Sequence, residues 1–280
     1  MTRPKFGILF KRFFVYLVMI LLGLMAVAPL YLLLINATRS TEQINTGISM
    51  IPGANTMYNW RVLTGRGFQI WQGFGNSILI SLSATVLSIY FSAMTAYGLH
   101  IYRFRGRTLI WTLILLVMLL PATLTFIGFY KFMAWLKLLD SYIPLIIPSI
   151  AAAATVLFLR QYMMSVLSTD LIDAARIDGA GEYRIFNVII LPVIVPALAA
   201  QSIFSFVSSW NNFITPFVLI SSMKKYTLPM LVQTLRATIY RTEFGGIYLG
   251  IAVSLVPILV FYAFMSRFII SGLTMGSLKE

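Results

Sequence analysis

The sequence predicts an all-α polytopic membrane protein with six transmembrane helices, on three observations. Of its 280 residues, 59% are hydrophobic and only 10% are charged, whereas a soluble domain carries about a quarter charged residues. The apolar residues gather into runs long enough to cross a bilayer, separated by polar or basic stretches. None of the eight acids falls within such a run, so the buried carboxylates that an ion-coupled secondary transporter would need are missing.

Composition excludes several other classes. With no cysteine, disulfides, thiol catalysis and Cys-ligated metals are ruled out. The single histidine, His100, cannot form a His cluster and reads as a satisfied helix-end residue beside a basic loop. An intramembrane hydrolase is a poor fit, because no Gly-x-Ser-x-Gly lies near His100. The net charge of +13 does not indicate nucleic acid. Its bases are spread over loops flanking apolar runs, which is the pattern of a topology signal and of contact with membrane lipid headgroups.

Residues 1–12 hold Arg3, Lys5, Lys11 and Arg12 without an acid, and are expected to be a cytoplasmic tail. Residues 13–270 are expected to form the transmembrane domain. Its first span runs from Phe13 to Ile35. Ala26-Val27-Ala28 imitates a signal-peptide cleavage site, but the run continues through Pro29, beyond the length of a signal's apolar core. Residues 36–74 are polar, with a turn signal at Pro52-Gly53, and make an external loop. The second span, Asn76 to His100, carries Ser77, Ser81, Ala84, Ser88, Ser92 and Ala96 along one face. Small residues at that spacing favour close helix packing over a hydrophilic path. Arg103, Arg105 and Arg107 form a short internal loop. The third span, Thr108 to Tyr130, is expected to bend at Pro121. Lys131–Ser141 is a short external connection, and the fourth span runs from Tyr142 to Leu159.

Arg160 to Asn187 reads as an ordered elbow, and its most informative part is 168–192. Ser168 or Thr169 can cap a helix whose first turn holds Asp170, at the positive end of the helix dipole. Gly179 can end that helix in a left-handed conformation. A second short helix then leads toward Pro192 and Pro196. The fifth span, Val188 to Trp210, carries Ala197, Gln201, Ser205 and Ser208 in register, and Asn212 continues the line. Gln201 would leave amide groups unpaired in hydrocarbon. It must therefore face solute or hydrogen-bond another helix, and the sequence leaves both open. Residues 211–246 form a second external loop with Lys224, Lys225, Arg236 and Arg241. The sixth span is Ile247 to Ile270, and 271–280 is a cytoplasmic tail.

Asp173-Ala174-Ala175, Gly179 and Ile189-x-Leu191-Pro192 together resemble the EAA loop of permease subunits in binding-protein-dependent ABC importers. The spacing agrees throughout. The one departure is Asp173 where the family has Glu, which shortens the acid by one methylene. Trp210-Asn211-Asn212-Phe213, Leu139-Asp140-Ser141 and Gly272-Leu273-Thr274-x-Gly276-x-x-Lys279 are similar to further stretches of the smaller permease of carbohydrate importers. The resemblance implies a type I importer (MetI-like) fold in a bacterial cytoplasmic membrane, with both termini cytoplasmic. It also implies a sibling permease, two cytoplasmic ATPase subunits and an extracytoplasmic solute-binding protein.

No stretch reads GxxxxGK[ST], and Gly179-Ala180-Gly181 does not complete a phosphate loop. The chain is therefore not expected to be an enzyme, and ATP and Mg are expected on the partner ATPases. Asp173, Ala174, Ala175, Gly179, Leu191 and Pro192 are the candidate coupling residues. Gln201, Ser205, Trp210, Asn211 and Asn212 are the candidate substrate path. The expected solute is an oligosaccharide or related polyol, with a non-sugar solute as the alternative.

Overall fold

The computed structural model describes residues 6–65, 69–235 and 242–276, with side chains described except at 6–10, 122–124 and 271–276. Arg3, Lys5, Arg236, Arg241 and Lys279 lie outside the described residues, as do the side chains of Gly272, Leu273 and Thr274. Among the described residues there is no strand. The principal helices are α1 (Phe6–Ala37), α2 (Thr41–Asn45), α3 (Thr56–Gly65), α4 (Ile70–Ile101), α5 (Arg107–Met118), α6 (Ala122–Trp135), α7 (Ile143–Ile146), α8 (Ala153–Val166), α9 (Thr169–Ile177), α10 (Glu182–Arg184), α11 (Leu191–Val193), α12 (Val195–Trp210), α13 (Ile214–Leu219), α14 (Leu228–Thr234) and α15 (Phe244–Gly276). Four helical segments among these residues are long and apolar enough to cross a membrane. A fifth crossing is available if Glu182–Val193 and Val195–Trp210, bent by 81°, are taken together.

Several boundaries differ from the sequence expectation, each for a physical reason. α4 begins at Ile70, before Asn76, because Trp71 and Phe74 pack edge to face one turn apart and carry the helix through a polar stretch. The expected third span is two helices: Pro121 stands at φ −62°, ψ 124° between α5 and α6. A proline offers no N–H and disfavours helix in the residue before it, so the break falls at Leu119–Leu120. The fourth span starts as α7, passes through a 3₁₀ turn at Ile147–Ala151, and continues in α8 to Val166. Arg160 stays within that helix by laying its guanidinium 4.2 Å over the ring of Trp111. The fifth straight helix starts only at Val195, so Val188–Val193 belongs to the elbow. The expected tail at 271–276 is still helical.

Both loops expected to be external contain helices, and two compact units emerge: residues 1–70 with 231–255, and 71–230 with 256–280. In the first, Leu63, Leu231 and Ile247 are buried. Asn59 donates to the carbonyls of Ala37 and Arg39, at 2.9 Å each. Gly245 passes so close that a Cβ there would stand 2.5 Å from the Arg39 carbonyl oxygen, which excludes any other residue. Glu243 accepts from Thr41 and Tyr58. Between Phe13 and Met25, by contrast, α1 leaves its large apolar side chains exposed, a surface that hydrocarbon or another membrane helix must cover.

The second unit is built on α4. Its small-residue stripe is buried along its whole length, with Ser77, Ser81, Ala84, Ser88, Ser92 and Ala96 each 3% exposed or less. Ser81 and Thr85 return their hydroxyls to the carbonyls four residues back, at 2.7 Å. That satisfies each hydroxyl without a partner helix. The apolar core gathers Ala93, Leu159, Met163, Ile172, Ile185, Ile190 and Ile194. His100, in the last turn of α4, is not satisfied as expected: its Nε2 is buried without a hydrogen-bond partner among the described residues.

Candidate functional site: a charged elbow and a polar cleft

The elbow begins where Ser168, in extended conformation, opens α9 with Asp170 in its first turn and Arg176 in its last. Ile172 and Ala175, three apart, are buried. Asp173, Ala174 and Gly179 are exposed, and Ile177 is 87% exposed. One face of α9 therefore seats the elbow on the unit's core and the other is open. Gly179 has φ +79°. The N–H of Gly179 reaches the Arg176 carbonyl and that of Ala180 the Ala175 carbonyl, each at 3.0 Å. This left-handed stop turns the chain back toward α10. A π-helical stretch, Ile185–Ile190, follows before Leu191 and Pro192. Leu191 is half-buried and Pro192 exposed. The 81° bend at Ile194 separates these residues from α12.

Arg176 organises the elbow's charge. Its Nη1 donates to Asp173 at 3.0 Å and its Nε to Glu182 at 2.8 Å. Glu182 also accepts from Tyr97, at 3.2 Å, and from Tyr102. The Arg176 bond holds the Glu182 carboxyl below its usual range, and the same bond raises Arg176 above its own. Glu182 is not among the residues that the sequence pattern singles out. Nothing local reveals its tyrosine partners, which come from residues some 80 positions earlier.

A polar cleft of about 370 Å³ lies between α4, α8 and α12. Gln201, Ser205 and Asn212 line it together with Ser88, Ser149, Thr155 and Ser208. No lining side chain is charged. Trp210 and Asn211 do not line it. Trp210 is 2% exposed, with its ring 5.7 Å from Phe206 and from Phe74, and Asn211 is exposed. Helical register accounts for Trp210: two residues turn its side chain by about 200° from Ser208. A neighbouring hollow of about 480 Å³ shares Leu145, Ser149 and Asn212 and adds the rings of Phe126 and Phe129, which the sequence reading did not single out.

The far end of α4 is pinned separately. Asp140 accepts the N–H groups of Ser221 and Ser222 at 3.0 and 2.9 Å, the Ser222 hydroxyl at 2.6 Å and Lys225 Nζ at 2.9 Å. These donors, Ser222 foremost, hold its carboxyl well below the usual range. Asn76 donates to the carbonyls of Lys224 and Tyr226, and the Leu228 N–H donates to Ser77. Along α4, Asn76 and Tyr102 are roughly 39 Å apart at 1.5 Å per residue. The elbow and this clamp are thus separated by more than the hydrocarbon thickness of a bilayer.

A multi-helix membrane component, with an uncharged polar cleft and a separate charged elbow, belongs to the class of transport permeases. The chain belongs to the family of binding-protein-dependent transport system inner membrane components, whose pattern matches residues 88–274. It is 38% identical over 261 residues to the arabinooligosaccharides transport system permease protein AraQ of Halalkalibacterium halodurans, covering 92% of this chain and 93% of that one. It is 29% identical to the sn-glycerol-3-phosphate transport system permease protein UgpE of Salmonella typhimurium, covering 91% and 93%. Its fold is similar to a chain in the crystal structure of a bacterial ABC transporter involved in the import of the acidic polysaccharide alginate. The TM-score is 0.77 at 24% identity, covering 95% of this chain and 99% of that one. The MetI-like helical fold implied by the loop motif is the fold observed. The chain is a permease subunit of an ABC importer and not an enzyme.

Proposed function

We propose that this chain is one of two permeases in an ATP-driven importer of an uncharged oligosaccharide, which arrives from an extracytoplasmic binding protein. The observation that carries the solute class is the cleft: amide and hydroxyl groups of Gln201, Ser205, Ser208 and Asn212 with no charged side chain among the lining. Hydroxyl-rich neutral solutes match such donors and acceptors. A phosphate or uronate would be desolvated there without a cation to pair it. The similarity to the arabinooligosaccharide permease supports the same class.

In this reading the chain crosses the inner membrane six times, the third crossing broken at Pro121, with both termini in the cytoplasm. The elbow lies on the cytoplasmic side and docks on the ATPase subunits, which hold ATP and Mg. Asp173, Ala174 and Gly179 form its outward face, and Leu191 and Pro192 its base. The clamped segment 211–230 faces the binding protein on the other side. Supporting this orientation are the acid-free basic run Arg103–Arg107 after α4 and the bilayer-scale separation of elbow and clamp.

The test is uptake by the assembled importer in proteoliposomes, offered labelled arabino-oligosaccharides or sn-glycerol 3-phosphate. Uptake of the neutral saccharide, with a KM raised by Gln201→Leu, is expected. Transport of the phosphate ester alone, or a Gln201→Leu importer unchanged in KM and rate, would overturn the reading.

A further inference from the structure

Glu182 lies outside the Asp173–Gly179 stretch, yet it is the elbow's best-connected carboxylate. Its Oε1 accepts from Arg176 at 2.8 Å, and its Oε2 from the hydroxyls of Tyr97 and Tyr102. Tyr97 is 4% exposed on α4, and Tyr102 stands just past that helix's end. Their rings meet edge to face at 5.8 Å, and Tyr97 packs on Phe186 at 5.5 Å. One side chain therefore joins α9 and α10 to the end of α4. Asp173 hydrogen-bonds inside its own helix, to Arg176, and is 61% exposed.

Besides the packing of Phe186 on Tyr90 and Tyr97 and the hydrogen bond from Tyr90 to Asn187, two routes lead from the elbow's charged part to the cleft. The covalent route runs through Ile194, where the chain bends by 81°. A break of that size passes torque poorly. The other route passes through Glu182 into α4, which is unbroken from Ile70 to Ile101. Ala84 and Ser88 on α4 form a wall of the cleft. A rigid rod joined at one end by two hydrogen bonds transmits displacement that a bend absorbs.

We propose that Glu182 is a positioning residue through which movement of the elbow reaches α4 and hence the cleft wall. This rests on the reading of the elbow as the part that the ATPases drive. Tyr97 and Tyr102 are its receivers, and Arg176 holds its carboxylate in place. Each bond to the carboxylate is charge-assisted and shortens with charge. Removing the carboxylate then loosens α4 from α9 and α10, leaving the Phe186 ring on Tyr90 and Tyr97, the Tyr90–Asn187 hydrogen bond and the seat of α9 on Ile172 and Ala175.

The experiment measures solute uptake per ATP hydrolysed by the assembled importer in proteoliposomes, normalised to the quantity of complex recovered. Glu182→Ala should lower that ratio by ~5-fold or more, the smallest effect usual for coupled sites. Tyr97→Phe with Tyr102→Phe should lower it similarly, and adding them to Glu182→Ala should cost nothing further. Glu182→Gln, which still accepts from both hydroxyls, should recover part of the loss. A ratio equal to that of the unaltered importer in all these variants overturns the proposal. So does a fall in recovered complex with the ratio intact, which is what a merely structural role gives. If the unaltered importer shows no nucleotide-driven uptake, the ATP-coupling reading fails, and the proposal fails with it. That outcome is distinct from an unaltered importer that couples and variants that couple equally.

Discussion

Gly179 offers a sharp test of why the elbow bends. Its φ is +79°, and a Cβ built on it meets nothing within 4 Å. Substitution therefore costs backbone strain alone, about 1–2 kcal/mol for an L-residue forced into the left-handed region. That shifts the balance between bent and unbent elbow by a factor of about 5–30. Asn tolerates this region because its short amide bonds locally, Ala less, and a β-branched Val least. Recovery of intact importer in mild detergent, and its uptake, should therefore fall in the order Gly179, Gly179→Asn, Gly179→Ala, Gly179→Val. The order follows backbone tolerance and runs against side-chain volume, since Asn is larger than Ala. Should Gly179→Asn prove as damaging as Gly179→Val, with Gly179→Ala harmless, a steric contact with a partner subunit decides the position and the backbone argument is refuted.

Three further outcomes follow from packing and charge. Trp210→Ala should cost about 3–5 kcal/mol, as for a buried aromatic, seen as a large loss of thermal stability in purified chain; a loss in uptake without one contradicts its core placement. Ser77→Ala leaves the Leu228 N–H without its acceptor and should destabilise by about 1–3 kcal/mol, measured by thermal melting. The bound Asp140 carboxyl has a lowered folded pKa, so its stabilisation is full above the unfolded value of about 3.9 and is lost as pH falls through the folded value. The stability gap between native chain and Asp140→Asn should thus hold near neutral pH and close in acid; a gap that widens in acid refutes the clamp.

Local signals proved readable and distant ones did not. The left-handed Gly179 stands where glycine's freedom puts it, and Ser168 takes the extended N-cap conformation before α9, although its side chain makes no capping hydrogen bond. The buried stripe of α4 follows from residue size and period alone. Proline chemistry at 121 announced a bend, although the chain breaks outright there. Span ends were misjudged wherever a side chain compensates for polarity. Arg160 reads as the end of a span until Trp111 is seen beneath its guanidinium. Trp71 and Phe74 extend α4 through residues whose average looks like loop. In the cleft, Gln201, Ser205 and Asn212 share a line visible in the sequence. Trp210 was grouped with them for its chemistry, although helical register alone sets it on the opposite side. Ser149, Thr155 and Glu182 became legible only when long-range packing supplied their neighbours.

The π-helical stretch Ile185–Ile190 fits more residues into each turn than an α-helix would. Removing a single residue there would let the segment tighten into ordinary helix with little change of direction, whereas adding one would swivel everything before it by roughly 100° about the axis. Ala174 and Asp173 would then point away from whatever they now address, with every chemical group still present. The nine positions between Gly179 and Ile189 thus act as a gauge of length: their number sets the aim of the elbow, and an insertion there should be far less tolerated than the loss of one π-helical residue or an exchange of side chain.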